Sequence, residues 1–173
     1  MYTQGEAFGF RVPNGGMGVY DLTNSATKRA QNYTGGFMQK GLRLWHEYVE
    51  AGDLSLLPEM FTEDCVFISP VVHTPQRGKD ITVLYLSGAM HVLKNEFRYL
   101  KEIVTDTHAA LEFECKVDDI IVNGIDILTF SEDGLISEFK VMVRPLQAMN
   151  KVHAKMGEML EALKKAKAAE SAA

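Results

Sequence analysis

The chain is short of cysteine, of clustered positive charge and of long apolar runs, and each shortage removes a class of protein. Cys65 and Cys115 are its only two cysteines in 173 residues. That is too few for a secreted disulfide framework, and no CxxC pair offers a metal or redox site. Both fall in segments that read as strands, so buried free thiols are expected. No stretch approaches the ~20 apolar residues of a membrane-spanning helix. The formal charge of −5 and the scattered Lys and Arg argue against a nucleic-acid surface; the one basic run, Lys164-Lys165-Ala166-Lys167, sits in an alanine-rich tail. The five histidines lack zinc-ligand spacing, and no HxxxH occurs. No glycine-rich phosphate loop precedes a helix, and Ser69 with His73, four residues apart in a strand–loop, is no recognised nucleophile device. No metal or cofactor is therefore expected. The first residues lack a basic region followed by an apolar core, so no signal peptide is expected and the default location is cytoplasmic.

What remains is an ordinary globular composition, 46% hydrophobic and 24% charged, sized for one domain with an arm at either end. Residues 1–36 form a Gly-, Asn- and Thr-rich block without helical or strand period. Five aromatics within it leave two readings, a flexible leader or an arm packed on the body or on a partner. Residues 37–147 carry the regular patterning, and 148–173 read as an amphipathic C-terminal helix with a frayed tail.

Within the body, Met38, Leu42, Trp45 and Val49 recur at helical spacing until Ala51-Gly52 ends the helix. Asp53 or Ser55 caps a short second helix carrying Leu56, Leu57, Met60 and Phe61. Glu63-Asp64 turns into a strand over 65–69, stopped by Pro70, and 71–78 reads as a loop. A third helix is expected over about 80–93, with Ile81, Leu84, Tyr85, Gly88 and Val92 inward. The chain then becomes β: strands over 97–104, 111–117, 120–130 and 135–144, the last two a hairpin about Ser131-Glu132-Asp133-Gly134. Helices before consecutive strands indicate an α+β domain with a mostly antiparallel sheet. Curved around the helices, such a sheet leaves a conical cavity.

Asp126 interrupts the apolar run Ile125-Asp126-Ile127-Leu128-Thr129-Phe130. A carboxylate in mid-strand is costly unless it is bound or neutralised, so it is the charged group expected to face a pocket. The alternative is a structural carboxylate bonded to Trp45 or a backbone amide. The opposite face of the same strand is also apolar, which suggests cover by a second subunit.

Glu50-Ala51-Gly52-Asp53, Phe67-Ile68-Ser69-Pro70, Arg77-Gly78-Lys79-Asp80-Ile81, the 124–130 run and Asp133-Gly134-Leu135-Ile136-Ser137-Glu138, in that order and spacing, resemble the nuclear transport factor 2-like superfamily. The nearest branches are the SnoaL-like (polyketide-cyclase-like) and ketosteroid-isomerase-like proteins. The likeness spans Leu42 to Pro145. It implies an α+β fold, a cone-shaped barrel of strongly curved, mostly antiparallel sheet on N-terminal helices, here with an extra C-terminal helix. It also implies a deep apolar pocket and a homodimer packed through the sheet. Ketosteroid isomerases carry a general-base aspartate where this chain has Ser69, and an oxyanion-donor tyrosine where it has Trp45. Their second donor, a protonated aspartate, matches Asp126. The Asp-Arg-Asp group of epoxide hydrolases has no counterpart.

The expected catalytic residues are Asp126 as acid or base and His73, which follows the first strand near the mouth of the cone; the alternative for His73 is a solvated loop residue. The expected ligand-binding wall is Trp45, Phe67, Ser69, Tyr85, Leu111 and Phe113, continued by Leu128, Phe139, Val141 and Val143; plain core packing is the alternative. His46 is expected off the inner face, and His91, His108 and His153 at the surface. Glu112 and Glu114 are expected to face solvent or a partner chain. Fold does not settle function. Three readings stand: an isomerase, cyclase or dehydratase acting on a small apolar molecule; a non-catalytic binder or dimeric interaction module; and a nuclear-transport-type adaptor. The ligand is expected to be a small apolar molecule, with neither nucleic acid nor membrane as partner.

Overall fold

A computed structural model of the chain describes residues 38–170. The arm expected over 1–36 lies outside them. The described elements are α1 (Lys40–Ala51), a 3-10 turn (Leu54–Leu56), α2 (Leu57–Met60), β1 (Phe61–Ile68), β2 (Gln76–Arg77), α3 (Lys79–Leu93), β3 (Arg98–Val104), β4 (His108–Val117), β5 (Ile120–Phe130), β6 (Ile136–Arg144) and α4 (Leu146–Glu170). The six strands make one mixed sheet in the order β2-β1-β6-β5-β4-β3. β1 runs parallel to β6, and every other pairing is antiparallel. The sheet is open, with β2 and β3 at its edges, and it is mostly antiparallel, as expected. Among the described residues no helix is long and apolar enough to cross a membrane.

Local chemistry accounts for most boundaries. Gly52 closes α1 at φ 70°, a left-handed cap that returns its N–H to the Tyr48 carbonyl. Asp53 accepts from the Ser55 N–H at 2.9 Å and starts the 3-10 turn. Gly134 takes φ 73° in the β5–β6 turn, and its carbonyl accepts the Gly41 N–H at 2.8 Å, pinning the start of α1 to that turn.

Four expectations change. Phe61 opens β1 rather than ending a helix, because its fully buried ring is placed by extended backbone at φ −109°, ψ 148°. Glu63 and Asp64 therefore lie within β1 instead of forming a turn. The loop expected over 71–78 contains β2, which pairs Gln76 with Phe67. The inner stripe of α3 is rotated: Thr82, Leu86, Gly88 and Leu93 are buried, while Ile81, Leu84 and Val92 are half-buried. Thr82 is tolerated inside because its hydroxyl donates to the Gly78 carbonyl at 2.9 Å and accepts the Cys65 thiol at 3.3 Å. Cys65 and Cys115 are both free and buried, as expected.

β5 organises the sheet. Val122, Gly124, Asp126, Leu128 and Phe130 point inward and are buried, against α1, α3 and α4. On the opposite face Ile121 is 60% exposed, and Ile103 on β3 and Met142 on β6 are 60% and 55% exposed. Gly124 has a packing role. It pairs directly with Phe113, and a Cβ there would sit 2.2 Å from the Phe113 ring and 2.8 Å from the Met142 carbonyl oxygen. The ring lies across the bare glycine and stacks on Phe97 at 5.3 Å between centroids. Gly124→Ala is expected to destabilise the fold by ~1–3 kcal/mol in urea unfolding, the usual cost of overpacking. Wild-type stability in that variant would contradict the packing described.

Candidate functional site

Asp126 sits in mid-β5, paired with Leu111 on one side and Val141 on the other, so its side chain shares the inward face. It is 4% exposed. Its partner is Tyr99, from β3. The Trp45 ring N–H donates to the Tyr99 hydroxyl oxygen at 2.5 Å, which directs the phenolic hydrogen onward to Asp126 Oδ2 at 3.1 Å. The result is a buried chain from α1 through β3 to β5.

A cavity opens against this group. It is lined by Trp45 from α1, by Phe67, Ser69 and Val71 from β1 and its following loop, and by Phe113, Phe139, Val141 and Val143 from the sheet. Leu86, Ala89, Met90 and Leu93 of α3 and Val152 and Met156 of α4 complete the wall. The cavity volume is about 40 Å³, more than the ~10–15 Å³ that one water needs, so the space is hollow.

Burial in this apolar wall pushes the Asp126 carboxyl from 3.8 up to about 7; the Tyr99 hydrogen bond works the other way and is outweighed. Tyr99 is driven well above the usual phenol range, by burial first and by the Asp126 charge second. It therefore holds its proton and acts as a donor. Burial, reinforced by Asp126, lifts the Cys115 thiol to about 12, so it is not a thiolate nucleophile. At neutral pH Asp126 is divided between its neutral and ionised forms, which suits one group to give or take a proton.

The expected site residues divide into three groups. Asp126, Trp45, Phe67, Ser69, Phe113, Phe139, Val141 and Val143 come together at the cavity. Leu111 and Leu128 are fully buried in the inward row of the sheet, off the cavity surface, and Tyr85 is half-buried with its ring 5.6 Å from that of Phe67. His73 is exposed on the loop and does not line the cavity. The Trp45 N–H, a candidate ligand donor by sequence, is occupied by Tyr99, so the indole offers the cavity its ring alone. Ser69 Oγ accepts the Val71 N–H at 3.2 Å, which leaves its hydroxyl hydrogen for another acceptor. Glu112 and Glu114 lie on the outer face with Lys101 and Arg98. Among the described residues no cluster of His, Cys, Asp and Glu has metal-binding form.

Sequence reasoning assigned Tyr99 no role. The available signal was that a buried indole N–H and a buried carboxyl both demand partners, and that Tyr99 alternates with Phe97 on one face of its strand. His46 points away from the cavity as expected, yet is buried. Its Nε2 lies 3.4 Å from Glu102 Oε2, and its ring meets that of Tyr99 edge-on at 5.8 Å.

The elevated Asp126 value has a consequence for stability. Between 3.8 and about 7 the unfolded chain releases a proton that the folded state keeps. Stability therefore falls as pH rises through that window and levels off above it. About three pH units at ~1.4 kcal/mol each give a cost on the order of 4 kcal/mol. Asp126→Asn is expected to be more stable than wild type at pH 8 and to lose that advantage near pH 4, read by urea unfolding at each pH. A difference that does not change with pH would contradict the assignment.

The profile of SnoaL-like domains matches residues 42–139. Among solved structures, a steroid delta-isomerase from Pseudomonas aeruginosa is 29% identical, with a TM-score of 0.70 over 83% of this chain and 97% of that one. An uncharacterised protein with a cystatin-like fold from Silicibacter pomeroyi DSS-3 is 31% identical, with a TM-score of 0.66 over 70% of this chain and 85% of that one. An NTF2-like protein of unknown function from Mesorhizobium loti, at 20% identity, shares the fold with a TM-score of 0.52 over 61% of this chain and 89% of that one. A search of curated proteins finds no match to this chain. The matched segment takes in most of α1, β1 to β5, the start of β6 and Asp126, and on that match the chain belongs to the SnoaL-like domain family, with a nuclear transport factor 2-like α+β fold.

Proposed function

We propose that this SnoaL-like protein takes a small, largely apolar molecule bearing a carbonyl or hydroxyl group into the cavity, and that Asp126 carries out proton transfer on it. The reaction class is isomerisation, aldol-type cyclisation or dehydration. One observation carries the reading: a carboxyl group held by Tyr99 and Trp45 at an otherwise apolar cavity, with its proton balanced near neutrality. Its neutral form donates to an oxygen of the ligand, and its ionised form accepts a proton from carbon. The likeness to a steroid delta-isomerase supports isomerisation within that reaction class.

Ser69 favours a second reading. A serine cannot remove a carbon-bound proton unaided, and it stands where the ketosteroid isomerases carry their base, so a chain that only binds its ligand is the alternative. Incubation with small apolar ketones in deuterated buffer at pH 7, followed by NMR, separates the two. Proton transfer predicts exchange at the carbon beside the carbonyl, lost by a factor of ~100 or more in Asp126→Asn. Ketone binding without exchange in wild type would leave the binder.

The proposal includes a homodimer through the outer sheet face. Ile125 pairs directly with Met142, and Ala110 with both Ile127 and Ile103, which gives a continuous apolar strip flanked by the Lys101–Glu112 and Arg98–Glu114 pairs. Buried free thiols agree with the cytoplasmic location expected from sequence. Met142→Glu is expected to convert a dimer to a monomer in sedimentation. A wild-type monomer, or a dimer indifferent to the change, would contradict this interface.

A further inference from the structure

α4 begins at Leu146, beyond the 42–139 segment that matches the SnoaL-like profile. It is nonetheless part of the cavity. Val152 and Met156, four residues apart on one helix face, are 2% and 6% exposed and both line the space in front of Asp126. Ala148, one turn earlier, is fully buried on the same face. The helix is held there from two directions. The Met149 N–H donates to the Pro145 carbonyl at 3.0 Å, which continues the chain directly from β6. Lys151 Nζ reaches Asp118 Oδ2 at 3.0 Å in the β4–β5 turn. α3 supplies Met90 and Leu93 to the adjacent wall, so the cavity is closed here by two helices that bring carbon and sulfur and no hydrogen-bonding side chain.

We infer that α4 is the specificity wall of this site, with Val152 and Met156 limiting the length of the apolar body of a ligand whose oxygen function meets Asp126. This deepens the proposed function and rests on it. The geometry contributes two points beyond that reading. The polar requirement comes from the α1–β3–β5 hydrogen-bond chain, and the apolar one from α3 and α4 together with the sheet. And the part that sets length lies outside the shared family segment, where a change of side chain alters the size of the accepted ligand without touching the Trp45–Tyr99–Asp126 chain. Methionine suits that task, because its unbranched thioether adapts to the group against it. A ligand carrying a second polar group at the α4 end would find no partner for it and would be rejected.

Trp45 is the only tryptophan of the chain and lines the cavity, so its fluorescence reads occupancy. Wild type, Met156→Ala and Val152→Ala are each titrated at pH 6 with straight-chain methyl ketones of increasing length. In wild type, affinity is expected to rise about fourfold per methylene, the ~0.8 kcal/mol of a buried CH₂, and then to stop rising at a definite length. In Met156→Ala that length is expected to grow by about two carbons, with shorter ketones bound no better than before, and in Val152→Ala by about one. The two variants are independent, and circular dichroism identifies a folded sample. A folded variant with an unchanged cut-off overturns the role of α4 while leaving the pocket intact. Wild type that shows no saturable change with any ketone overturns the pocket reading and this inference together.

Discussion

Burial of one carboxyl group in an apolar wall is the constraint on which the site depends. A charged carboxylate at the Asp126 position has little water to solvate it and one hydrogen-bond donor among the described residues, the Tyr99 hydroxyl at 3.1 Å. Desolvation outweighs that bond, and the group answers by holding its proton up to about pH 7. Tyr99 can serve as that donor because Trp45 occupies its oxygen from the other side. The three side chains come from α1, β3 and β5, so their meeting depends on sheet register and on how α1 docks. The Gly41 N–H to Gly134 carbonyl bond ties that docking to the β5–β6 turn. The Phe113 ring lying flat over Gly124 keeps the same row packed beside Asp126.

The apolar lining has two effects. It raises the affinity of an apolar ligand by removing its surface from water, and it supplies the low-polarity surroundings that shift Asp126. Binding and acid–base character thus share one cause. A polar substitution anywhere in the wall would weaken the first and relax the second. Helix α4 extends this wall from outside the family segment.

Much of the site was legible in the sequence because the signals were local. Asp126 stood out as a lone carboxylate in an apolar strand. Phe139, Val141 and Val143 declared a shared face by alternation, and Gly134 marked the turn that sets the β5–β6 register. What escaped were facts about pairs of segments. Tyr99 carries no mark in its own strand; it matters because a buried indole and a buried carboxyl converge on it. Thr82 turned α3 away from its hydropathic face because its hydroxyl is satisfied by the Gly78 carbonyl at the start of α3 and by Cys65 of β1, and the second partner lies in another element. Met156 lies in the stretch that read as an amphipathic helix, and its place at the cavity appears only once α4 is laid against β5 and β6.

The central claim concerns one proton, and NMR of the Asp126 side-chain carboxyl carbon against pH observes it directly. Labelled aspartate, with Asp126→Asn to assign the resonance, gives the midpoint in the intact protein. A midpoint near 7 is expected, shared by a reporter such as Trp45 fluorescence. A midpoint near the ordinary 3.8 would show that the carboxyl is solvated, and the acid–base reading of this cavity would then have no support.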